Sequence, residues 1–282
     1  MIAFGLVLLT LGLVLAEPAS RVLAHAAWPQ RSPGIALLLW QGMGLLAGLA
    51  FIGAGVILAL AAPPVVAVVL WTLTGVLAAR LLGVLTATGL RTLASRRRHR
   101  QLLDLIATPW PDRPGAAVLD HPMPVAYCLP GLRSRLVISR GVLDVLTPSQ
   151  LDAVLAHERA HLAERHDLVV LPFVAWGATV PLPLRSWLPG VLRSQLAVAE
   201  LIEMRADDVA VRQCGAQHLA AALRAVAGIG SYPPVETAGT IRDSTHFRAH
   251  RCGALPALRR LRRLAISSGS SSSHSAESGD TE

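Results

Sequence analysis

The first hundred positions read as long apolar blocks whose polar residues gather at the ends. Residues 1–16 carry no charge, and Glu17, Arg21 and Arg31 follow them. Residues 32–79 hold no charged residue at all, about twice the length that one helical crossing of a bilayer requires. Pro63-Pro64 interrupts this block, so the pattern predicts a hairpin of transmembrane helices, 34–62 and 65–88, preceded by a shorter apolar helix over 1–16. A secretory leader places positive charge before its apolar run, whereas here the arginines come after it, so the first helix is expected to stay in place with its N-terminus outside. Arg80 falls inside the later limb, where it can snorkel toward the cytoplasm or face the bundle interior; snorkelling is the expectation.

Beyond Arg100 the periodicity shortens to that of a small folded domain. A-V-L-D (117–120), V-A-Y-C (125–128) and R-L-V-I-S (135–139) are β-like runs, with Pro130-Gly131 offering a turn between the last two. A helix then starts at Thr147-Pro148: threonine can cap, proline suits the first turn, and Gln150 completes a capping box. Leu151, Val154, Leu155 and Leu162 continue as an apolar stripe.

Composition agrees with the pattern, since 52% hydrophobic residues and a mean hydropathy of +0.49 exceed what a soluble chain of 282 residues carries. The net charge of +8 comes entirely from arginine, clustered at 91–100 and 259–263. Basic clusters beside apolar spans mark the cytoplasmic side and meet anionic headgroups of the lipid bilayer, and no nucleic-acid reading module accompanies them, so direct nucleic-acid binding is not expected. The loops 17–33 and 91–100 then fall on one side, and everything after Arg100 is cytoplasmic. Cys128, Cys214 and Cys252 have no disulfide or metal spacing and read as reduced thiols.

Two histidines and a glutamate interrupt the apolar stripe in L-D-A-V-L-A-H-E-R-A-H-L-A. His157 and His161 are four residues apart, so both imidazoles leave one helix face within reach of a single ion, with Glu158 beside them. Neutral imidazoles suit Zn2+, and three protein ligands leave a position for water, whose proton Glu158 can accept while the metal polarises a carbonyl. His246 and His250 repeat the spacing without the glutamate and read as a solvated basic segment. A third ligand is sought in A-E-L-I-E-M-R-A-D-D (199–208), which offers Glu200, Glu203, Asp207 and Asp208. Glu203 and Asp207 share a face, so one can bind zinc while the other holds the far nitrogen of a ligating histidine.

H-E-R-A-H followed about forty residues later by E-M-R-A-D, after apolar spans, resembles the BlaR/MecR-type antirepressor membrane zinc metallopeptidases and, more distantly, the HtpX-like and CAAX-prenyl membrane proteases. The likeness extends upstream through P-V-A-Y-C-L-P-G-L-R-S-R-L-V-I-S-R-G-V-L-D and covers roughly 101–212. It implies a mainly α membrane protein with a cytoplasmic α+β gluzincin-like zinc peptidase domain over 91–215 and a small sheet. It also implies His157, His161 and Glu203 as zinc ligands, Glu158 as general base and Asp207 as the orienting carboxylate. The strand carrying Leu136, Val137 and Ile138 would align a protein or peptide substrate by edge pairing. A winged-helix repressor is one substrate the resemblance suggests, in a signalling pathway at the plasma membrane. His166 and Arg205 are nearby candidates for an oxyanion donor, neither assigned.

Residues 168–184 are apolar but contain Pro172, Pro181 and Pro183. A single crossing there would strand Glu203 on the opposite side from His157, so a re-entrant or interfacial segment is expected. A helical region over 216–265 and a disordered Ser-rich tail over 266–282 complete the chain. These stretches show no further span and no penicillin-binding domain, so direct β-lactam sensing is not expected. Two function classes remain: a membrane zinc endopeptidase, and a membrane signalling or scaffold protein with a structural or vestigial zinc site. A transporter finds little support, because Arg80 is the lone ionisable group within the expected spans.

Overall fold

The computed structural model describes residues 1–131, 134–179 and 189–229. The Ser-rich tail, His246, His250, the arginines of 259–263, the 216–265 region beyond Ile229 and residues 180–184 of the proline-rich segment lie outside the described residues. The protein is mainly helical, with a small mixed sheet, and its contacts divide it into two compact units. The first is Met1–Ala94 with His166–Arg205; the second is Ser95–Arg165 with the chain from Ala206.

In the first unit, α1 (Ile2–Val14) runs through a π-helical turn, Leu15–Ala19, directly into α2 (Ser20–His25). Pro18 sits in that turn, and the wider winding accommodates a residue that has no N–H to donate and whose ring crowds the preceding turn. The helix expected over 1–16 is therefore longer, and it carries Glu17 and Arg21 within it. α3 (Pro33–Ala61) and α4 (Pro64–Ile106) follow. The latter continues well past 88 because residues 89–106 are rich in Arg and Leu, both good helix formers, and contain no proline to stop it. Among the described residues, the helices Ile2–His25, Pro33–Ala61 and Pro64–Ile106 are long and apolar enough to cross a membrane.

Small residues bring these helices together, as expected where lipid offers no hydrophobic drive for association. A Cβ placed on Gly5 would stand 2.7 Å from the Leu58 side chain, one on Gly12 would stand 3.0 Å from the Phe51 ring, and Gly53 meets Leu8. Partner numbers fall along α3 as they rise along α1, so the two are antiparallel. Gly55 meets Thr74 across the α3–α4 hairpin.

The remaining elements of the first unit are α7 (His166–Thr179) and the leading part of α8 (Pro189–Cys214). Gln41 Nε2 donates to the Val169 carbonyl at 2.7 Å, Trp40 meets Phe173 edge to face, and Gly48 lies beneath Trp176. These pairs ascend together, so α7 runs parallel to α3. Trp40, Phe173, Val198 and Ile202 are buried in the shared core.

The second unit is built on a four-stranded sheet of order β1-β2-β4-β3: β1 (Ala107–Pro109), β2 (Ala116–Leu119), β3 (Ala126–Leu129) and β4 (Arg135–Ser139). The β1–β2 and β3–β4 pairs are antiparallel and β2–β4 is parallel. Three strands fall on the β-like runs of the sequence, while β1 is an addition the pattern does not announce. Side chains of β4 alternate between faces. Leu136 and Ile138 pack with Leu151 and Leu155 of α6 (Pro148–Ala163), beside α5 (Arg140–Val145) and α9 (Ala216–Ile229). Val137 points the other way, onto Leu103 of α4 and Leu129. Gly215, at φ 85°, breaks α8 from α9, a backbone shape that glycine adopts without strain.

Candidate metal centre

The centre starts from a well-specified helix. Thr147 caps α6 by accepting from the Gln150 N–H, and the Gln150 side chain accepts from the Thr147 N–H at 3.0 Å, which is the capping box the sequence announces. Leu151 and Leu155 fix the inward face of α6 against the sheet. The same rotation turns His157 and His161 into buried positions, while Glu158 is half-buried and Arg159 exposed.

The two Nε2 atoms of His157 and His161 converge to 3.1 Å. On its other side, His157 Nδ1 stands 3.0 Å from Asp207 Oδ1, and Asp207 is 1% exposed. The approach is not aligned as a hydrogen bond, yet a buried carboxylate at that distance attracts hydrogen to Nδ1 electrostatically, which would leave the Nε2 lone pair facing His161. Two imidazole lone pairs so close repel unless one ring is protonated or a cation lies against both. Tetrahedral zinc holds two nitrogens roughly 3.3 Å apart, given Zn–N distances of about 2.0–2.1 Å, so the observed separation fits that ion.

Glu203 lies one helical turn before Asp207 on α8. Donor atoms of His157, His161 and Glu203 all lie within 4.8 Å of one another. Spacing alone left Glu203 and Asp207 interchangeable; in the structure Asp207 faces the His157 Nδ1, and Glu203 offers a carboxylate oxygen within 4.8 Å of a ring nitrogen of each histidine. Two nitrogens and a carboxylate oxygen are a donor set suited to zinc. Glu200 and Asp208 do not join this group.

The substrate-aligning role expected of Leu136, Val137 and Ile138 needs correction. β4 is an inner strand with β2 on one side and β3 on the other, so its backbone has no edge to offer. All three side chains are buried in the two cores. Strand order is set by non-local pairing and cannot be read from a local run of apolar residues. The edge strand next to β4 is β3, which packs against α6.

Arg80 also departs from the expected snorkelling: its Nε donates to the Thr179 carbonyl at the end of α7, at 2.8 Å. Of the oxyanion candidates, His166 opens α7 and is buried, and Arg205 lies by Gly34 of α3; neither gains a role from its placement. Sequence reasoning passed over a second polar pair, His99 Nε2 with the Tyr127 hydroxyl at 2.9 Å. Burial lowers the His99 pKa and raises that of Tyr127.

Residues 92–180 match the profile of peptidase family M48, a stretch that includes β1–β4 and the whole of α6 with His157, Glu158 and His161, and ends before Glu203. That match, together with the three apolar helices, supports a membrane-type metallopeptidase. Two curated relatives point the same way. A protease HtpX homolog of Moorella thermoacetica is 37% identical over 70 residues, 24% of this chain and 23% of the relative. The protease HtpX homolog 2 of Methanosarcina acetivorans is 33% identical over 70 residues, 24% of each chain. The aligned stretch thus spans about a quarter of the length of these relatives. No solved structure gives a significant match. The likeness therefore runs to the HtpX-like proteins, the group the sequence motifs ranked as more distant.

Proposed function

We propose that the protein is an integral membrane zinc endopeptidase that cleaves cytoplasmic or membrane-proximal protein. The observation that carries this reading is the convergence of His157, His161 and Glu203 donor atoms within 4.8 Å, next to Glu158. Zinc bound there supplies Lewis acidity and lowers the pKa of a bound water.

The chain's own residues do the rest. His157 and His161 present neutral nitrogens, and Asp207 fixes the tautomer of the first. Glu158, one position after His157, takes the proton of the attacking water and returns it to the leaving amine. A peptide backbone pairs with β3, the edge strand of the sheet among the described residues, which adjoins α6, so that its carbonyl is carried toward these groups. By likeness to the antirepressors, a winged-helix repressor is a substrate of the kind proposed, which would give the enzyme a signalling role. The active site faces the cytoplasm, on the side where Arg91–Arg100 follows the last apolar stretch.

Glu158→Gln tests the enzymatic reading against a structural zinc site. It should lower peptide turnover by about 10²–10⁴-fold, the usual worth of a general base, while bound zinc is unchanged. Undiminished turnover with zinc retained would remove Glu158 from the reaction.

A further inference from the structure

Two amide side chains dock on the backbone of α7 from neighbouring helices. Gln41 Nε2, from α3, donates to the Val169 carbonyl at 2.7 Å, and Gln195 Nε2, from α8, donates to the Phe173 carbonyl at 2.8 Å. Pro172, in the same turn, has no N–H to give the Leu168 carbonyl, so α7 is short of one internal bond where the amides arrive. Gly177 makes room for the second of them. A Cβ at that position would stand 1.9 Å from Gln195 Nε2 and 3.0 Å from its Cδ. Gly177 is buried within the helix and is not among the glycines with positive φ, so what glycine supplies there is space for the amide and not backbone freedom.

This contact fixes how far along α7 the next helix lies. Val198, Leu201 and Ile202, further along α8, share a core with Val169 and Val170, earlier in α7, so the two helices pass antiparallel at Gln195. From Gln195 to Glu203 is roughly 12 Å of helix, and from Phe173 back to His166 roughly 10 Å. Glu203 therefore comes level with His166, a short step along the chain from His161. Apolar side chains alone hold such a register weakly, whereas a directional hydrogen bond in a low-dielectric core holds it to one carbonyl. A slip of one helical turn is about 5.4 Å, far more than a zinc–carboxylate bond of about 2.0–2.2 Å tolerates.

We propose that Gln195, seated on Gly177, is the peg that sets the register of α8 against α7 and so brings the Glu203 carboxylate to His157 and His161. This deepens the protease reading and rests on Glu203 being the third zinc ligand. Gln195 is a positioning residue, because its partner is a backbone carbonyl of α7 and it acts through Glu203.

Zinc affinity of the purified full chain, read by chelator competition, tests this without any substrate. Gln195→Leu, of similar volume but with nothing to donate, should weaken zinc binding about three- to tenfold, the worth of a hydrogen bond between helices in a bilayer. Gly177→Ala keeps the amide but puts a methyl group where it lies, and should weaken zinc binding by a similar factor even though alanine favours the helix. In a Glu203→Ala background, measured at higher zinc, Gln195→Leu should cause no further loss, because the peg then has no ligand to position. Should Gln195→Leu fail to accumulate, Gly177→Ala serves in the same comparison. Full affinity in both variants, while Glu203→Ala loses zinc, overturns the proposal and leaves the three-ligand centre standing. Equal losses with and without Glu203 mean a general loosening of the fold and overturn it as well. Zinc fully retained by Glu203→Ala overturns the peg and the centre together.

Discussion

The two nitrogens of the His157 imidazole meet different neighbours, and the reading proposed above gives Asp207 the part of choosing its tautomer. With Nδ1 held 3.0 Å from a buried carboxylate, Nε2 is left as the lone-pair donor toward His161. Asp207→Asn keeps the shape but removes the charge that raises ligand basicity, so zinc affinity should fall about 10–100-fold in a chelator competition. Unchanged affinity would mean that Asp207 does not act through His157. His99 offers a second residue-scale outcome. Its folded pKa is lowered by burial, so protonation opposes the folded state. The stability it contributes is present above the usual histidine pKa and is lost as pH falls below it. Thermal stability below that range should therefore decline more steeply in the natural chain than in His99→Gln; parallel pH profiles would refute it. The HExxH residues were legible in the sequence because helix period alone puts positions four apart on one face. Spacing alone does not divide the duties of Glu203 and Asp207; the family resemblance does, and the contact of Asp207 with His157 Nδ1 agrees with that division.

Elements show where local pattern suffices and where it does not. The cap at Thr147 and the strand Arg135–Ser139 follow from residues adjacent in sequence, and both stand where those residues put them. The π-helical turn at Pro18 and the continuation of α4 to Ile106 were missed, because charge after an apolar block was read as the end of a helix as well as the end of a span. That reading placed Glu17 outside a helix and hid its contact with Gly190. The glycines of α1 and α3 make a testable claim of their own. Gly5→Val would drive a side chain into Leu58, whereas Gly42→Ala meets nothing within 4 Å. The first should destabilise the detergent-solubilised protein by about 1–3 kcal/mol, and the second should leave its thermal midpoint close to unchanged. Equal effects would contradict the close approach of α1 and α3.

At the scale of the whole molecule, apolar block lengths and arginine clusters were enough to foresee membrane-type helices followed by a small α+β domain. Strand order was beyond reach, because the parallel β2–β4 pairing joins segments separated by β3, and it moved the edge from β4 to β3. The candidate third ligand, Glu203, lies outside the stretch that matches the M48 profile, so its place beside the two histidines is a support that the family likeness does not already contain. Measurement of zinc bound to the purified full chain, compared with Glu203→Ala, tests their union most directly. The account predicts stoichiometric zinc in the first and a loss of most of it in the second, at equal helicity. Glu203→Ala that retains zinc with undiminished affinity would contradict the three-ligand centre on which the protease reading stands.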